Sequence, residues 1–164
     1  RTAGPPEVSA IPAAVDDERG IVLPEQRLGT RDLAGGILAT LMTVGRAGSC
    51  THSEPVFDGR RRYDLVLEQV GRDRLTASDY SPFAGDALRC TLKIRKIAGF
   101  RQEQSRSSWM SGDRVTVWIG QPFAGAPPVM VRMEMETTFG ALRAHLTRAM
   151  RHPDTEVLQL AAAP

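Results

Sequence analysis

The chain has 164 residues, of which 41% are hydrophobic and 24% charged, so it is long enough for one globular domain with a buried core. A formal net charge of +2 excludes the strong, clustered positive charge of a typical nucleic-acid-binding protein. No apolar run is long enough to encode a membrane span, and no segment reads as a signal peptide. Because the chain begins at Arg1 rather than methionine, we expect a processed or truncated product.

The first 46 residues predict an extended arm followed by one helix. Residues 1–29 are rich in proline, alanine and glycine and show no periodicity, and their short apolar piece ends at Pro24. Residues 30–46 have helical spacing, with Thr30 as the predicted N-cap and with Gly45 and Gly48 ending the helix. A wide apolar stripe predicts that this helix packs against the domain; it contains Leu33, Ile37, Leu41 and Val44, with Leu38 and Met42 beside it.

From Phe57 onward the pattern changes to a period of two, which is typical of half-buried strands. Asp58-Gly59 predicts a two-residue hairpin turn. Further alternating segments occupy residues 87–97, 114–119 and 128–138; residues 141–146 fit a last strand or a short helix, and residues 149–164 resemble a frayed tail. Because only short turns join the strands, the sheet must be antiparallel. We therefore predict a mainly β (α+β) fold: a curved antiparallel sheet or half-barrel, packed on one amphipathic helix, in a single β-rich domain over residues 30–148.

Two cysteines, Cys50 and Cys90, enclose 39 residues, and Cys90 lies on the apolar face of the clearest strand. If they form a disulfide, the cross-link would stabilise the fold by about 4 kcal/mol in the chain-entropy model and would indicate an oxidising compartment. Two buried thiols fit the same pattern equally well. The residues alone leave both alternatives open.

Several short motifs occur in a characteristic order: a cysteine, then "VFDGRRRYDL", "GDALRC", "IAGF", a "VWI" strand and a "TTFG" turn. This order resembles the bacterial envelope family known as domain of unknown function 3108, over about residues 5–147. The chain departs from the family pattern in two ways. Strands that precede the proline-rich segment in the family are missing, and the helix begins "TRDLAGG".

The resemblance implies an exported, periplasmic protein with no assigned activity, corresponding to the C-terminal part of the family domain. A periplasmic location favours the disulfide between Cys50 and Cys90, which would join the end of the helix to the central strand. The family also resembles, more loosely, curved antiparallel half-barrels that bind lipoprotein acyl chains. That likeness concerns the fold and does not fix the function.

Nothing in the sequence predicts an enzyme, a metal site or a cofactor. Cys50 and His52 are two residues apart in an extended segment, about 7 Å apart and too far for a direct hydrogen bond between a nucleophile and its base. The three histidines, His52, His145 and His152, are scattered and show no metal-ligand spacing. A cysteine-dependent enzyme is the least favoured of the functions considered.

One basic surface is predicted on the polar face of the sheet. If Arg60 and Arg62 share a strand face, basic side chains on the other strands would extend that face into a positively charged surface for an anionic partner. The candidate residues are Arg60, Arg62, Arg89, Lys93 and Arg95. The alternative, which we favour, is a solvated face on which these cations pair across strands with carboxylates; those are Asp64, Glu68, Glu134 and Glu136.

An apolar surface is the second candidate site. If the helix stripe lies over a curved sheet, a cavity for an apolar or amphiphilic ligand, such as a lipid, would form between them. The expected lining is Leu33, Ile37, Leu41, Leu65, Leu92 and Met133. Met42, Met130 and Met135 would make it adaptable, although core filling explains the methionines equally well. The competing function is a structural or protein-interaction element of the cell envelope that uses an open β edge.

Overall fold

The computed structural model describes residues 20–100, 115–137, 140–150 and 157–159. Two helices and eight strands follow one another along these ranges: α1 (Pro24–Arg27), α2 (Leu33–Ala47), β1 (His52–Phe57), β2 (Arg62–Leu75), β3 (Gly85–Ala98), β4 (Val115–Gly120), β5 (Val129–Thr137), β6 (Gly140–His145), β7 (Arg148–Met150) and β8 (Val157–Gln159).

The strands β1 to β6 form one sheet in the order of the chain, and every neighbouring pair is antiparallel. The sheet is open, because β1 and β6 lie at its two edges and do not pair with each other. The central strands β2 and β3 are the longest, with 14 residues each. The predicted fold class, a mainly β antiparallel sheet with one main helix, is confirmed.

The predicted hairpin joins β1 to β2, but its loop is longer than expected. Phe57 pairs with Arg62, so four residues form the turn rather than two. The Asp58 carboxylate organises this turn by accepting hydrogen bonds from the backbone N–H groups of Arg60 (3.1 Å) and Arg61 (2.7 Å). The prediction that Arg60 and Arg62 share a strand face is wrong, because Arg60 lies in the turn.

Helix α2 begins two residues later than Thr30 would place it. The carboxylate of Asp32 accepts a hydrogen bond from the Gly35 N–H at 2.8 Å and is the N-cap, whereas the Thr30 hydroxyl donates to the Arg27 carbonyl. The helix continues through Gly45 and ends at Gly48, whose left-handed φ of 62° suits glycine. The predicted end at Gly48 is confirmed, whereas the predicted cap at Thr30 and the predicted end at Gly45 are wrong.

Small residues form the side of α2 that packs. The buried helix residues are Gly36, Thr40 and Val44, spaced four apart. A Cβ atom on Gly36 would lie 2.8 Å from the Val56 Cγ2 atom, so the absence of a side chain permits this close approach to β1. The predicted apolar stripe is therefore only partly used: Val44 is buried and Leu41 packs against its cluster, whereas Leu33, Ile37 and the neighbouring Leu38 and Met42 are between 39% and 62% exposed.

The N-terminal arm is only partly extended. Residues 1–19 lie outside the described residues. Pro24, which was expected to end a short apolar piece, begins the short helix α1, because proline suits the first helical position. Val22 is buried at 5% exposure, and the Arg62 side chain donates to the Gln26 carbonyl at 3.1 Å. The domain therefore begins before residue 30.

The predicted C-terminal tail also contains structure. Strand β7 pairs with β8 in a second, two-stranded sheet, so residues 149–150 and 157–159 are not frayed; the remaining tail residues lie outside the described part of the chain. Leu146 and Leu158 pack against a buried cluster on the side of the six-stranded sheet that α2 does not cover, containing Phe83, Ala87, Trp118 and Val131.

A β-bulge in β5 changes which residues share a face. Trp118 pairs with Arg132, but Ile119 pairs with Met130, so Val131 is the extra residue. Val131 therefore packs in the cluster with Trp118, while Met133 contacts the cluster under α2. Strict alternation along the predicted strand 128–138 would place Val129, Val131, Met133 and Met135 on one face, but the inserted residue divides them between the two faces.

Candidate functional site

The register of the sheet produces one continuous apolar face. Residues directly opposite each other on adjacent strands project from the same side. Two rows follow from the pairing, the first being Leu67, Leu92, Val115, Met135 and Leu142, and the second Cys90, Val117, Met133 and Ala144. We call this side the apolar face and the opposite side the charged face. The apolar face extends from β2 to the edge strand β6.

Helix α2 covers the part of the apolar face around the disulfide. Cys50 and Cys90 are bonded and fully buried, and they belong to one cluster with Val44 of α2. The cluster also contains Leu67, Leu88, Val117 and Ile119. The predicted disulfide is confirmed, and it ties the chain just after α2 to the central strand β3.

The six residues predicted to line a cavity do not surround one space. Leu41, Leu92 and Met133 contact the disulfide cluster. Leu65 is buried in a neighbouring cluster with Val56 and Tyr63, against which Leu92 also packs. Leu33 and Ile37 are exposed on α2. Four of the six therefore fill the core, and two remain at the surface.

Two of the depressions in the described surface lie at the ends of α2. One, of about 460 Å³, is lined by the helix end at Val44, Gly45 and Gly48 together with the β4–β5 loop. The other, of about 800 Å³, lies between the start of α2 and the β1–β2 turn. Of the six predicted lining residues only Leu33 borders either of these depressions. Neither of these two depressions is the predicted space between the helix stripe and the sheet.

On the charged face a buried carboxylate holds two of the predicted anion-contact residues. Asp64 is 5% exposed and accepts hydrogen bonds from Arg62 and Arg95, each at 2.5 Å. Burial acts to raise the pKa of Asp64, but the hydrogen bonds and charges of the two guanidinium groups outweigh it, so the pKa is lowered. Asp64 therefore stays ionised at neutral pH.

A second polar cluster surrounds Trp118. The indole Nε1–H donates to Asp73 at 2.8 Å, and the same carboxylate oxygen lies 3.3 Å from Arg89 Nη1. The Arg132 guanidinium lies over the indole ring at 4.7 Å and pairs with Glu134, which also binds Arg143. The hydrogen bond from Arg132 is the main cause of the lowered pKa of Glu134. Sequence reasoning missed this cluster, because the bulge at Val131 decides that Arg132 faces Trp118.

Most of the predicted anion-contact residues therefore have carboxylate partners. Arg62 and Arg95 share Asp64, Arg89 binds Asp73, and Lys93 lies 3.4 Å from Glu68. Arg60 lies apart from them, in the β1–β2 turn. This is the cross-strand pairing that the sequence offered as the alternative to an anion-binding plate.

Neither cysteine has a thiol that could act as a nucleophile, because each sulfur is in the disulfide. His52 instead approaches Glu54, with 3.1 Å between Nε2 and Oε2. The described residues contain no cluster of three metal-ligating side chains, and His152 lies outside them. Within the same ranges, neither helix has the length and apolar character needed to cross a membrane.

The fold and its two faces define a disulfide-bonded, β-dominated domain built on an open antiparallel sheet. The chain belongs to the family described as protein of unknown function (DUF3108), whose model matches residues 22–147. The match confirms the family resemblance of the sequence and includes α1, in agreement with the packing of Val22. No curated protein and no solved structure matches the chain.

Proposed function

We propose that this protein is a non-enzymatic binding module of the bacterial cell envelope, which holds an apolar or amphiphilic ligand on the apolar face beside α2. The observation that carries the proposal is the incomplete covering of that face. Ile94 and Leu142 lie in neighbouring rows of this face and are 43% and 50% exposed, and Met130, at the opposite end of the face in the row of Ile119, is 39% exposed. Apolar side chains left exposed on a sheet face are candidates for an interaction site.

The exposed side of α2 adds to this surface. Small residues bring the helix close to β1, so its larger side chains, such as Ile37 and Met42, stay 39% and 42% exposed. An unbranched methionine adapts to differently shaped apolar ligands. The helix and the sheet therefore both offer apolar contacts that the fold itself does not use.

Cations at one end of the apolar face support an amphiphilic ligand over a purely apolar one. Lys96 projects from the same face as Ile94, because Lys96 pairs with Tyr63 and Ile94 pairs with Leu65. Lys96 lies 5.5 Å from the centre of the Phe100 ring, which also contacts Arg61, the ion-pair partner of Asp58. An anionic head group near Lys96 would place its apolar chain along the face beside Ile94.

The disulfide supports an extracytoplasmic location. Disulfides form and persist in oxidising compartments, of which the bacterial periplasm is one. Trapping of thiols with an alkylating reagent in intact cells tests this part: we expect both cysteines to be protected. Full alkylation in cells would place the protein in a reducing compartment.

Native mass spectrometry after mild extraction tests ligand binding directly. We expect a bound amphiphile and saturable binding of dansylaminoundecanoic acid as a fluorescent probe. The variant Ile94→Gln should weaken probe binding by about tenfold, because it removes apolar contact from the site. Its matched control is Leu28→Gln, at a 54% exposed leucine between α1 and α2.

Two results would overturn the proposal. One is the lack of both a bound amphiphile and saturable probe binding in the folded, oxidised protein. The other is equal weakening of probe binding by Ile94→Gln and by Leu28→Gln, since the site would then not lie on the apolar face.

A further inference from the structure

The two edges of the six-stranded sheet differ in how their backbone groups are used. At the β1 edge, Arg31 forms a parallel bridge with Val56: its N–H donates to the Pro55 carbonyl at 3.1 Å, and its carbonyl accepts from the Phe57 N–H at 2.8 Å. Pro55 has no N–H to offer, and Glu54 is held by Arg31. Pro55, the bridge between Arg31 and Val56, and the ion-paired carboxylate of Glu54 therefore protect this edge from pairing with another strand.

The β6 edge has no such protection in the part of the chain that the structure describes. Residues 140–144 are all exposed and contain neither a proline nor a bulge. The one charged side chain among them, Arg143, is bound to Glu134 of β5 at 2.9 Å. An exposed edge of this kind is a template for a further strand.

The pattern of hydrogen bonds identifies the backbone groups that point outward. Leu146 donates to the Val131 carbonyl at 3.0 Å, so by the alternation of an antiparallel ladder Leu142 and Ala144 also bond to β5. The N–H and C=O groups of Ala141 and Arg143 therefore point away from the sheet. They are spaced to pair with a second antiparallel strand.

We propose that the β6 edge binds the β6 edge of a second copy of this chain, antiparallel and with the two-fold axis at Leu142. This register places Ala141 of each copy opposite Arg143 of the other, where they exchange about four hydrogen bonds. The two Leu142 side chains meet at the axis as a non-hydrogen-bonded pair, in which side chains approach most closely. Both copies keep their apolar faces on the same side.

Charge distinguishes this register from its neighbours. An axis at Arg143 would place two arginines directly opposite each other, which is destabilising. An axis at Ala141 would place Leu142 opposite Gly140 and lose the apolar pair. Only the axis at Leu142 pairs leucine with leucine, and it leaves the ion pair between Arg143 and Glu134 in place.

Pairing would join two apolar faces into one. The row that runs from Leu67 through Val115 and Met135 to Leu142 would continue into the same row of the second copy. A six-residue edge buries little area, so we expect a weak, concentration-dependent dimer. The proposal stands independently of ligand binding.

Sedimentation velocity over micromolar to millimolar concentrations tests the dimer with the full, oxidised chain. Leu142→Lys and Leu142→Glu should each raise the dissociation constant by about tenfold or more, because like charges then meet at the axis. An equimolar mixture of the two variants should associate at least as well as the unmodified chain. Leu142 is 50% exposed, so both variants should fold.

A cysteine cross-link tests the register. Leu142→Cys should form an intermolecular disulfide under mild oxidation, since paired Cβ atoms lie about 5 Å apart. Ala144→Cys, on the same edge and face, would lie opposite Gly140 and should not cross-link to itself. The two native cysteines are already bonded and do not interfere.

The proposal is overturned if the unmodified chain remains monomeric at millimolar concentration, or if Leu142→Lys associates as it does. Failure of the lysine and glutamate variants to associate when mixed would exclude the axis at Leu142. Equal cross-linking of the two cysteine variants would do the same.

Discussion

The apolar and charged faces of one sheet are stabilised in different ways. On the apolar face, Cys50 and Cys90 are bonded and fully buried beneath Val44, and Gly36 allows α2 to approach β1 closely. On the charged face, carboxylates such as Asp64 are enclosed by guanidinium groups. The comparison shows that a strand with alternating residues can support a covalent, apolar core on one side and an ion-pair network on the other.

The ion pairs also account for two of the three arginines in the segment 60–62. Three consecutive arginines suggest a recognition surface, but Arg62 is used to neutralise a buried aspartate, and Arg61 pairs with Asp58. Charged residues on this face mostly satisfy one another. On the apolar face, by contrast, side chains such as Ile94 and Leu142 remain exposed.

The largest expected effect is the loss of the disulfide. Replacing Cys50 and Cys90 together by alanine should lower the free energy of unfolding by about 2–5 kcal/mol, because the unfolded chain gains entropy and the core loses its link to β3. Denaturant unfolding measures this loss, and reduction of the unmodified protein should reproduce it. A loss below about 1 kcal/mol would show that apolar packing alone holds this face.

Removing the buried carboxylate should have the next largest effect. Asp64→Asn leaves the Arg62 side chain, which is 14% exposed, without its counter-charge. We expect a loss of about 2–3 kcal/mol, less than for a fully buried pair because the Arg95 side chain is 64% exposed. The control is Asp86→Asn, whose pair with Arg74 is exposed on both sides and should cost less than about 0.5 kcal/mol. Equal effects of the two variants would contradict the assigned role of Asp64.

Acid should weaken the charged face first. The pKa values of Asp58, Asp64 and Glu134 are lowered in the folded protein, so their contribution is complete above the pKa of the unfolded chain, near 4. Stability is then lost as pH falls through the folded pKa values, because the unfolded state takes up protons more readily. Unfolding followed between about pH 6 and pH 2 should show this slope, and Asp64→Asn should reduce it. A slope that Asp64→Asn leaves unchanged would assign the acid sensitivity to other groups.

The smallest effect tests the close approach of α2. Gly36→Ala should destabilise the protein by about 1 kcal/mol, since the contact of the new methyl group with Val56 outweighs the gain in helix propensity. Gly35→Ala is the matched control, because its nearest contact is the Asp32 side chain at 3.3 Å and its neighbours are otherwise free to adjust. Thermal unfolding of both variants provides the measurement, and a stabilised Gly36→Ala would place the helix farther from β1.

Some parts of the candidate site follow from local pattern. Alternation places Leu92 and Cys90 on one side of β3, and Arg89 and Lys93 on the other, whatever the neighbouring strands do. The disulfide was favoured by the family resemblance together with the inward direction of Cys90. The hairpin before β2 was expected because Asp58-Gly59 is a turn sequence, although its length depended on how the Asp58 side chain bonds the backbone.

Other parts depend on partners that no local pattern specifies. The side of α2 that packs is the one with small residues, because β1 comes so close that Gly36 and Thr40 fit there and Leu33 does not. The Trp118 cluster depends on a single inserted residue, Val131. On one side of this residue, the side chains of β5 project from the opposite face of the sheet to the one that strict alternation would give them.

The sequence by itself therefore determined strands β2 to β5, the antiparallel connection of the sheet, its division into an apolar and a polar side, and membership of the family. Only the tertiary structure decided which side of α2 is buried, which carboxylate each arginine binds, and which sheet edge stays exposed. The physical reason is the sequence separation over which each interaction acts. Alternation and turn chemistry act between residues that are close together in the chain. Close packing, strand register and ion pairing depend on distances between residues that are far apart in sequence.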